Sequence, residues 1–315
     1  MLNYEFKIKM IKDNPFPLSG KCIVNPTAAR NKWIRRKKLR RYLKDHLPYQ
    51  IIDDCENKES VIKSAREKSL DSHIIVAIGG DGTIIDIIQG IIDSERAQDI
   101  LLGLIPFGSG NAFRKSFGIS KKLKKALKTI SEGIISEMDL IDIDGNVASF
   151  ASVGATAQVT QEKLRHAIPG LAGHLLASRI MVGLPRKKQE IELIDGLTDE
   201  GEPFERKMLN LNLYDCVVGK TNYFGYSWRV APKARLDDGY LDITLFETSW
   251  LKYYLCFSLI YLGLYQRTQK HFKAKKMIIR SQALPVQYNG EFLGFRDEVT
   301  FKILPRALKV IGTKK

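Results

Sequence analysis

Ile74-Ile75-Val76-Ala77-Ile78 runs directly into Gly79-Gly80-Asp81-Gly82-Thr83, and this stretch decides the fold. A short, continuous, β-branched run reads as a strand buried on both faces. The glycines that end it let backbone N–H groups come close to anionic oxygens. Thr83 can donate a hydrogen bond, and Asp81 can orient a metal, a water or a substrate hydroxyl. Residues 84–92 read as a helix, whose N-terminus would face the same oxygens. The combination suits a polyphosphate.

Outward from this stretch, residues 20–141 alternate in a βα rhythm. Strands are expected over 21–24, 49–53, 73–78 and 101–105. Helices are expected over 32–47 (basic and amphipathic), 60–68, 84–92, 112–117 and 123–130. Continuous apolar strands separated by helices predict a parallel, doubly wound sheet, in which ligands sit at the carboxyl ends of the strands. Asn25, Gly79 and Pro106 all fall there. After about residue 142 the pattern alternates instead: 142–147, 189–194, 208–218, 240–246, 276–280, 284–288 and 299–303, with turns such as Asp195-Gly196 and Asp238-Gly239. This predicts a mostly antiparallel β domain with helical insertions at about 159–183 and 249–268. The expected domains are 1–141 and 142–315, packed around a cleft.

With 315 residues, 44% apolar and 27% charged, the chain is long enough for two cored domains. Its 50 Lys and Arg against 35 Asp and Glu give a formal net charge of +15, which points to an anionic partner: nucleotide phosphates, an anionic membrane surface or nucleic acid. No RNP-like aromatic pair, zinc signature or recognition-helix pattern supports nucleic acid. The four cysteines are dispersed, with no CxxC pair, which fits a reducing cytoplasm and argues against a metal or redox cluster. The N-terminal residues have no long apolar h-region, so no signal peptide is expected. Residues 253–265 (YYLCFSLIYLGLY) are apolar but short of the roughly 20 residues of a span, and read as a buried helix.

A second glycine loop, Pro106-Phe107-Gly108-Ser109-Gly110-Asn111, also follows a buried strand and precedes a helix. Two such loops on neighbouring strand ends make one phosphate-binding surface. Asn25-Pro26-Thr27 ends the first strand; its Asn can read a nucleotide edge or cap the turn. NPTAAR, GGDGT, PFGSGNAFRKSFG, APKARLDDGYLD and VQYNGEFLG, in this order over residues 20–312, resemble the diacylglycerol kinase catalytic-domain superfamily, which includes bacterial lipid kinases and the sphingosine and ceramide kinases.

The resemblance implies an ATP- and Mg²⁺-dependent lipid kinase. Its α/β N-terminal domain is similar to those of NAD kinase and phosphofructokinase, and its C-terminal domain is a β-sandwich. Asn25, Thr27, Gly79, Gly80, Gly82, Thr83, Gly108, Ser109, Gly110, Asn111 and Glu291 would bind nucleotide. Asp81, Asn289 and Glu291 would form the catalytic set. Asp238, with the carbonyls of Arg235 and Tyr240, would hold a structural Mg²⁺, although from sequence alone Asp237-Asp238-Gly239 is a hairpin turn.

Three departures stand out. Asn289 replaces the family Asp that is a candidate base, and a carboxamide accepts no proton near neutral pH. Ser109-Gly110-Asn111-Ala112 is similar to the sphingosine-kinase loop. Gln158 stands close to where sphingosine kinases place an amine-binding Asp. A diacylglycerol-like substrate comes first, a sphingoid base second. The alternatives are a silent lipid- or nucleotide-binding protein of the same fold and an NAD kinase. The partner is lipid at an anionic membrane surface, a homodimer is compatible, and the location is cytoplasmic and peripheral.

Overall fold

The computed structural model describes residues 19–108, 111–166, 173, 176–225 and 228–313. Ser109 and Gly110, and most of Gly170 to Ala177, lie outside the described residues. The chain divides into two compact units: one runs to Met138 and includes the segment from Arg306, the other covers Asp139–Pro305.

In the first unit, β1 (Gly20–Val24), β2 (Gln50–Ile52), β3 (Ile74–Gly79) and β4 (Leu101–Pro106) are parallel, in the order β2-β1-β3-β4. Val76 lies opposite Cys22 on one side and Gly103 on the other. Ile74 to Ile78 are all essentially inaccessible, which is why the run carries no polar alternation. Helices Lys58–Ser69 and Asp81–Asp93 pack closely because Gly90 has no side chain: a Cβ there would lie 2.3 Å from the Ile62 carbonyl. Asn57 starts the first of these with a capping box shared with Ser60.

The expected helix over 32–47 is instead two helices, Ala28–Arg35 and Lys37–His46, interrupted at Arg36 with φ −97° and ψ 62°. The last strand also differs from expectation. Lys309 and Val310 pair in parallel with Leu101 and Leu102, so the C-terminal segment joins the first unit, not the β domain that follows residue 142.

The second unit is antiparallel and sandwich-like. Its strands are β5 (Ile134–Ile143, entering from the first unit), β6 (Asn146–Ala148), β7 (Phe150–Gly154), β8 (Lys187–Thr198), β9 (Pro203–Leu213), β10 (Asp215–Gly219), β11 (Leu241–Phe246), β12 (Lys270–Tyr288) and β13 (Glu291–Gly312). β10 lies between β7 and β11, and β12 pairs with β7, β8, β11 and β13. The expected strands 276–280 and 284–288 are both parts of β12, joined through a bulge where Ala283 takes φ +48°. The expected strand 208–218 divides at Tyr214 into β9 and β10.

Residues 253–265 do not form a buried helix. They belong to two short helices, Trp250–Leu255 and Phe257–Tyr261, and a following turn. Tyr253, Ile260 and Tyr265 face the core while Leu255 is 74% exposed. No helix among the described residues is long and apolar enough to cross a membrane.

Candidate active site

Gly79 to Thr83 form the turn from β3 into helix Asp81–Asp93, with Gly80 as its N-cap. The first turn of a helix leaves its leading N–H groups without intrahelical partners, so those of Asp81, Gly82 and Thr83 are available to an anion. The space beside Gly82 is open: a Cβ there would meet nothing within 4 Å.

The second loop is held against the first through Gly79, Gly80 and Asp81. Phe107 N–H donates to the Gly79 carbonyl at 2.7 Å. Gly80 and Gly108 touch backbone to backbone, so that a Cβ on Gly108 would lie 2.3 Å from Gly80 Cα. The Asp81 carboxylate accepts Ala112 N–H at 2.9 Å and Phe113 N–H at 3.0 Å. Asn111, buried and at φ +50°, closes its own loop by accepting from Gly108 N–H (3.0 Å) and donating to the Gly108 carbonyl (2.6 Å). Burial lowers the pKa of the Arg114 guanidinium, opposed by the nearby Asp81 charge.

On the neighbouring strand end, Asn25 Oδ1 accepts from Thr27 N–H at 3.0 Å, and the Thr27 hydroxyl lies 2.7 Å from the same oxygen and 2.8 Å from the Glu56 carbonyl. This is the turn-capping use of Asn25. The first unit thus brings Asn25, Thr27, Gly79 to Thr83, Gly108 and Asn111 to the carboxyl ends of adjacent parallel strands.

The other candidate residues lie in the second unit. Asn289 and Gly290, at φ +49° and +90°, turn β12 into β13, the geometry that favours Asn-Gly. Both ends of the Asn289 side chain are engaged: Oδ1 accepts from Ser149 N–H at 3.0 Å, and Nδ2 donates to the Val147 carbonyl at 3.0 Å. Glu291 accepts from the Tyr288 hydroxyl at 3.2 Å. Gln158 is on helix Ala155–His166.

Asp238 and Tyr240 come together, but around an ammonium. Lys220, fully buried just beyond β10, places Nζ 2.7 Å from Asp238 Oδ1, 2.7 Å from the Tyr240 carbonyl and 3.2 Å from Asp139 Oδ2. Asp242 lies 4.0 Å from Nζ, and Arg235 N–H donates to it at 3.3 Å. Lys273 also bonds Asp238. Burial opposes ionisation of Asp238, but the two lysines hold its carboxyl below the usual range. Burial pushes Asp242 up to about 6 against the same lysines. Mg²⁺ needs oxygen ligands at about 2.1 Å, and a cation cannot share this volume with the ammonium. The Asp238, Arg235 and Tyr240 set therefore does not fit a metal. Sequence reading missed Lys220, since a lysine after an apolar strand looks like any strand-end cation.

The second unit also contains a cavity of about 80 Å³, lined by Phe150, Thr156, Phe224, Trp228, Tyr253 and Phe257, among others. Asp215, wholly buried beside it, accepts from Thr156 N–H at 3.2 Å, from the Thr156 hydroxyl and from Tyr253 OH at 3.3 Å. Burial raises its carboxyl to about 7 despite these donors.

Residues 20–143 match the diacylglycerol kinase catalytic domain, and residues 197–312 match the YegS C-terminal NAD kinase beta sandwich-like domain. A diacylglycerol kinase of Bacillus subtilis is 25% identical over 288 residues, covering 87% of this chain and 90% of that protein. One from Staphylococcus saprophyticus is 26% identical over 246 residues, covering 75% and 76%. A solved diacylglycerol kinase structure from Bacillus anthracis shares the fold, with a TM-score of 0.71 at 22% identity, over 94% of this chain and 97% of that one. The chain belongs to the superfamily of lipid kinases that carry a diacylglycerol kinase catalytic domain followed by a YegS-type β-sandwich-like domain.

Proposed function

We propose that the protein transfers the γ-phosphoryl group of ATP to the hydroxyl of a membrane lipid, a diacylglycerol-like glycerolipid first and a sphingoid base second. The observation that carries this reading is the junction of the two glycine loops. Gly80 against Gly108, and Asp81 on Ala112 and Phe113, fix the N-terminus of helix Asp81–Asp93 beside a second glycine wall. Phosphoryl transfer needs this kind of preorganised positioning more than covalent chemistry, because its transition state is loose. The loop N–H groups hold the phosphate oxygens. Asp81 keeps the loops in register and, through its remaining lone pairs, receives the hydroxyl proton late in the transfer.

Mg²⁺ bound with ATP would neutralise phosphate charge. In the first unit, Asp81 is the carboxylate that would hold it. The apolar cavity of the second unit, at about 80 Å³, has room for only a few methylene groups of a lipid tail. Basic residues such as Lys121, Lys122 and Lys125, around a recess of the first unit, suit an anionic lipid surface. The free cysteines suit a cytoplasmic setting.

Asn289 supports a second reading, a lipid- or nucleotide-binding protein without turnover, because its engaged carboxamide supplies no base. One assay separates the readings. Purified protein with Mg-ATP is offered diacylglycerol, sphingosine and NAD in turn, and products are identified by mass spectrometry. Phosphatidate supports the first reading, and nucleotide binding without any product supports the second. NADP formation would establish an NAD kinase instead.

A further inference from the structure

We propose that the Lys220 ammonium is a built-in replacement for a structural divalent cation, so that the loop Ala231 to Asp242 is held without metal. The Lys220 ammonium donates to Asp238 and to the Tyr240 carbonyl, and Asp139 completes its surroundings as an ion-pair partner at 3.2 Å. The loop is threaded around the charge from both sides. Asp139 also accepts Gly239 N–H at 2.7 Å, Asp238 accepts Tyr240 N–H, and Asp242 accepts Arg235 N–H. Lys273 supplies a second positive charge to Asp238 and Asp242. These are oxygen donors of the kind that would ligate Mg²⁺, brought to one point, with a fixed nitrogen where the ion would be. Removing one member of such a buried network leaves uncompensated charge and is strongly destabilising.

Thermal melting of the nucleotide-free full chain tests this. Wild type is expected to keep its Tm when dialysed against EDTA and when Mg²⁺ or Ca²⁺ is added back. Lys220→Met is expected to lose on the order of 10 °C, and Lys220→Arg less than Lys220→Met. If Lys220→Met does not fold, the wild-type comparison still decides. The proposal is overturned if wild-type Tm falls on chelation, recovers with Mg²⁺, and Asp238→Asn removes that response. It is also overturned if Lys220→Met melts like wild type.

A second, independent observation concerns the helices Trp250–Leu255 and Phe257–Tyr261. Their inner residues Tyr253, Phe257 and Ile260 line the apolar cavity. Their outer residues Leu251, Tyr254, Leu255, Leu259 and Leu262 are all exposed by between 45% and 74%. Residues 250–269 contain Lys252 and Arg267 and no carboxylate. We infer that this face docks on an anionic lipid bilayer, inserting its leucines between headgroups while the two cations meet lipid charge. The link to the cavity rests on the lipid-kinase reading; the docking does not.

Co-sedimentation with phosphatidylcholine vesicles, with and without phosphatidylglycerol, tests it. Wild type is expected to bind the anionic vesicles. The Leu255→Glu/Leu259→Glu variant is expected to bind roughly tenfold or more weakly, with phosphorylation of a water-soluble short-chain diacylglycerol unchanged. Equal sedimentation of the two proteins overturns the docking. So does a wild-type dimer that the variant converts to monomer while vesicle binding stays the same. If wild type phosphorylates no lipid yet sediments as stated, the kinase reading falls and the docking stands.

Discussion

The Asp81 carboxylate accepts the backbone N–H groups of Ala112 (2.9 Å) and Phe113 (3.0 Å), joining the two glycine loops through one side chain. An Asn at this position can accept only one of these bonds, and its amide would face the other N–H donor to donor. Asp81→Asn is expected to destabilise the protein by about 1–3 kcal/mol. It is also expected to lower kcat by at least about 10²-fold, because the proposed proton acceptor is lost as well. Urea unfolding and steady-state kinetics measure the two effects separately; a variant with wild-type stability would contradict the latch.

Gly108 and Gly82 should respond in opposite ways to the same added methyl group. At Gly108 the methyl meets backbone of Gly80, which cannot yield without moving the loop. Gly108→Ala should lose about 1–3 kcal/mol. At Gly82 the methyl enters open space within a helix, and Gly82→Ala should gain up to about 1 kcal/mol. That open space is where the phosphates are proposed to lie, so the more stable Gly82→Ala should bind ATP more weakly. Melting curves and nucleotide titration calorimetry on both variants check this.

Asn289 holds its hairpin through both ends of the carboxamide. Asn289→Asp would place a carboxylate oxygen against the Val147 carbonyl. The expected result is a loss of about 1–3 kcal/mol with no gain in turnover. A faster Asn289→Asp enzyme would show that the position is catalytic and impaired in this chain.

Asp215 gives the protein a pH dependence of unusual sign. Its carboxyl is raised from 3.8 to about 7 in the folded state. Between these values the folded protein holds a proton that the unfolded chain has released. Stability from this group is therefore greatest below about 4, falls as pH rises through that window, and is gone above 7. Asp215→Asn mimics the protonated form, since the Thr156 and Tyr253 hydroxyls can turn to accept from its amide. The variant should melt above wild type at pH 8, about one unit past the folded pKa, with a flatter Tm profile below it.

The parallel sheet was legible because β1, β3 and β4 are short apolar runs ending at a glycine or proline loop, and burial of β3 and β4 on both faces leaves those runs unbroken. The two glycine loops were legible for the same reason, since each follows one of these strands directly. Residues 253–265 were misread because apolar content does not say which side of a short helix is covered. The expected second domain ran to the end of the chain, whereas the segment from Arg306 groups with the first unit because Lys309 and Val310 pair with Leu101 and Leu102. Lys220 was invisible because its role is set by Asp139 and Asp238, which lie far from it or past a turn in sequence. Only packing brings the three together.

The most direct test of the account is transfer of labelled γ-phosphate from Mg-ATP to lipid, wild type against Asp81→Ala, with a membrane lipid extract as acceptor. Labelled phospholipid formed by wild type, and reduced by about 10²-fold or more in Asp81→Ala, is the predicted result. Equal labelling by both proteins, or none by wild type under conditions where it binds ATP, would contradict it.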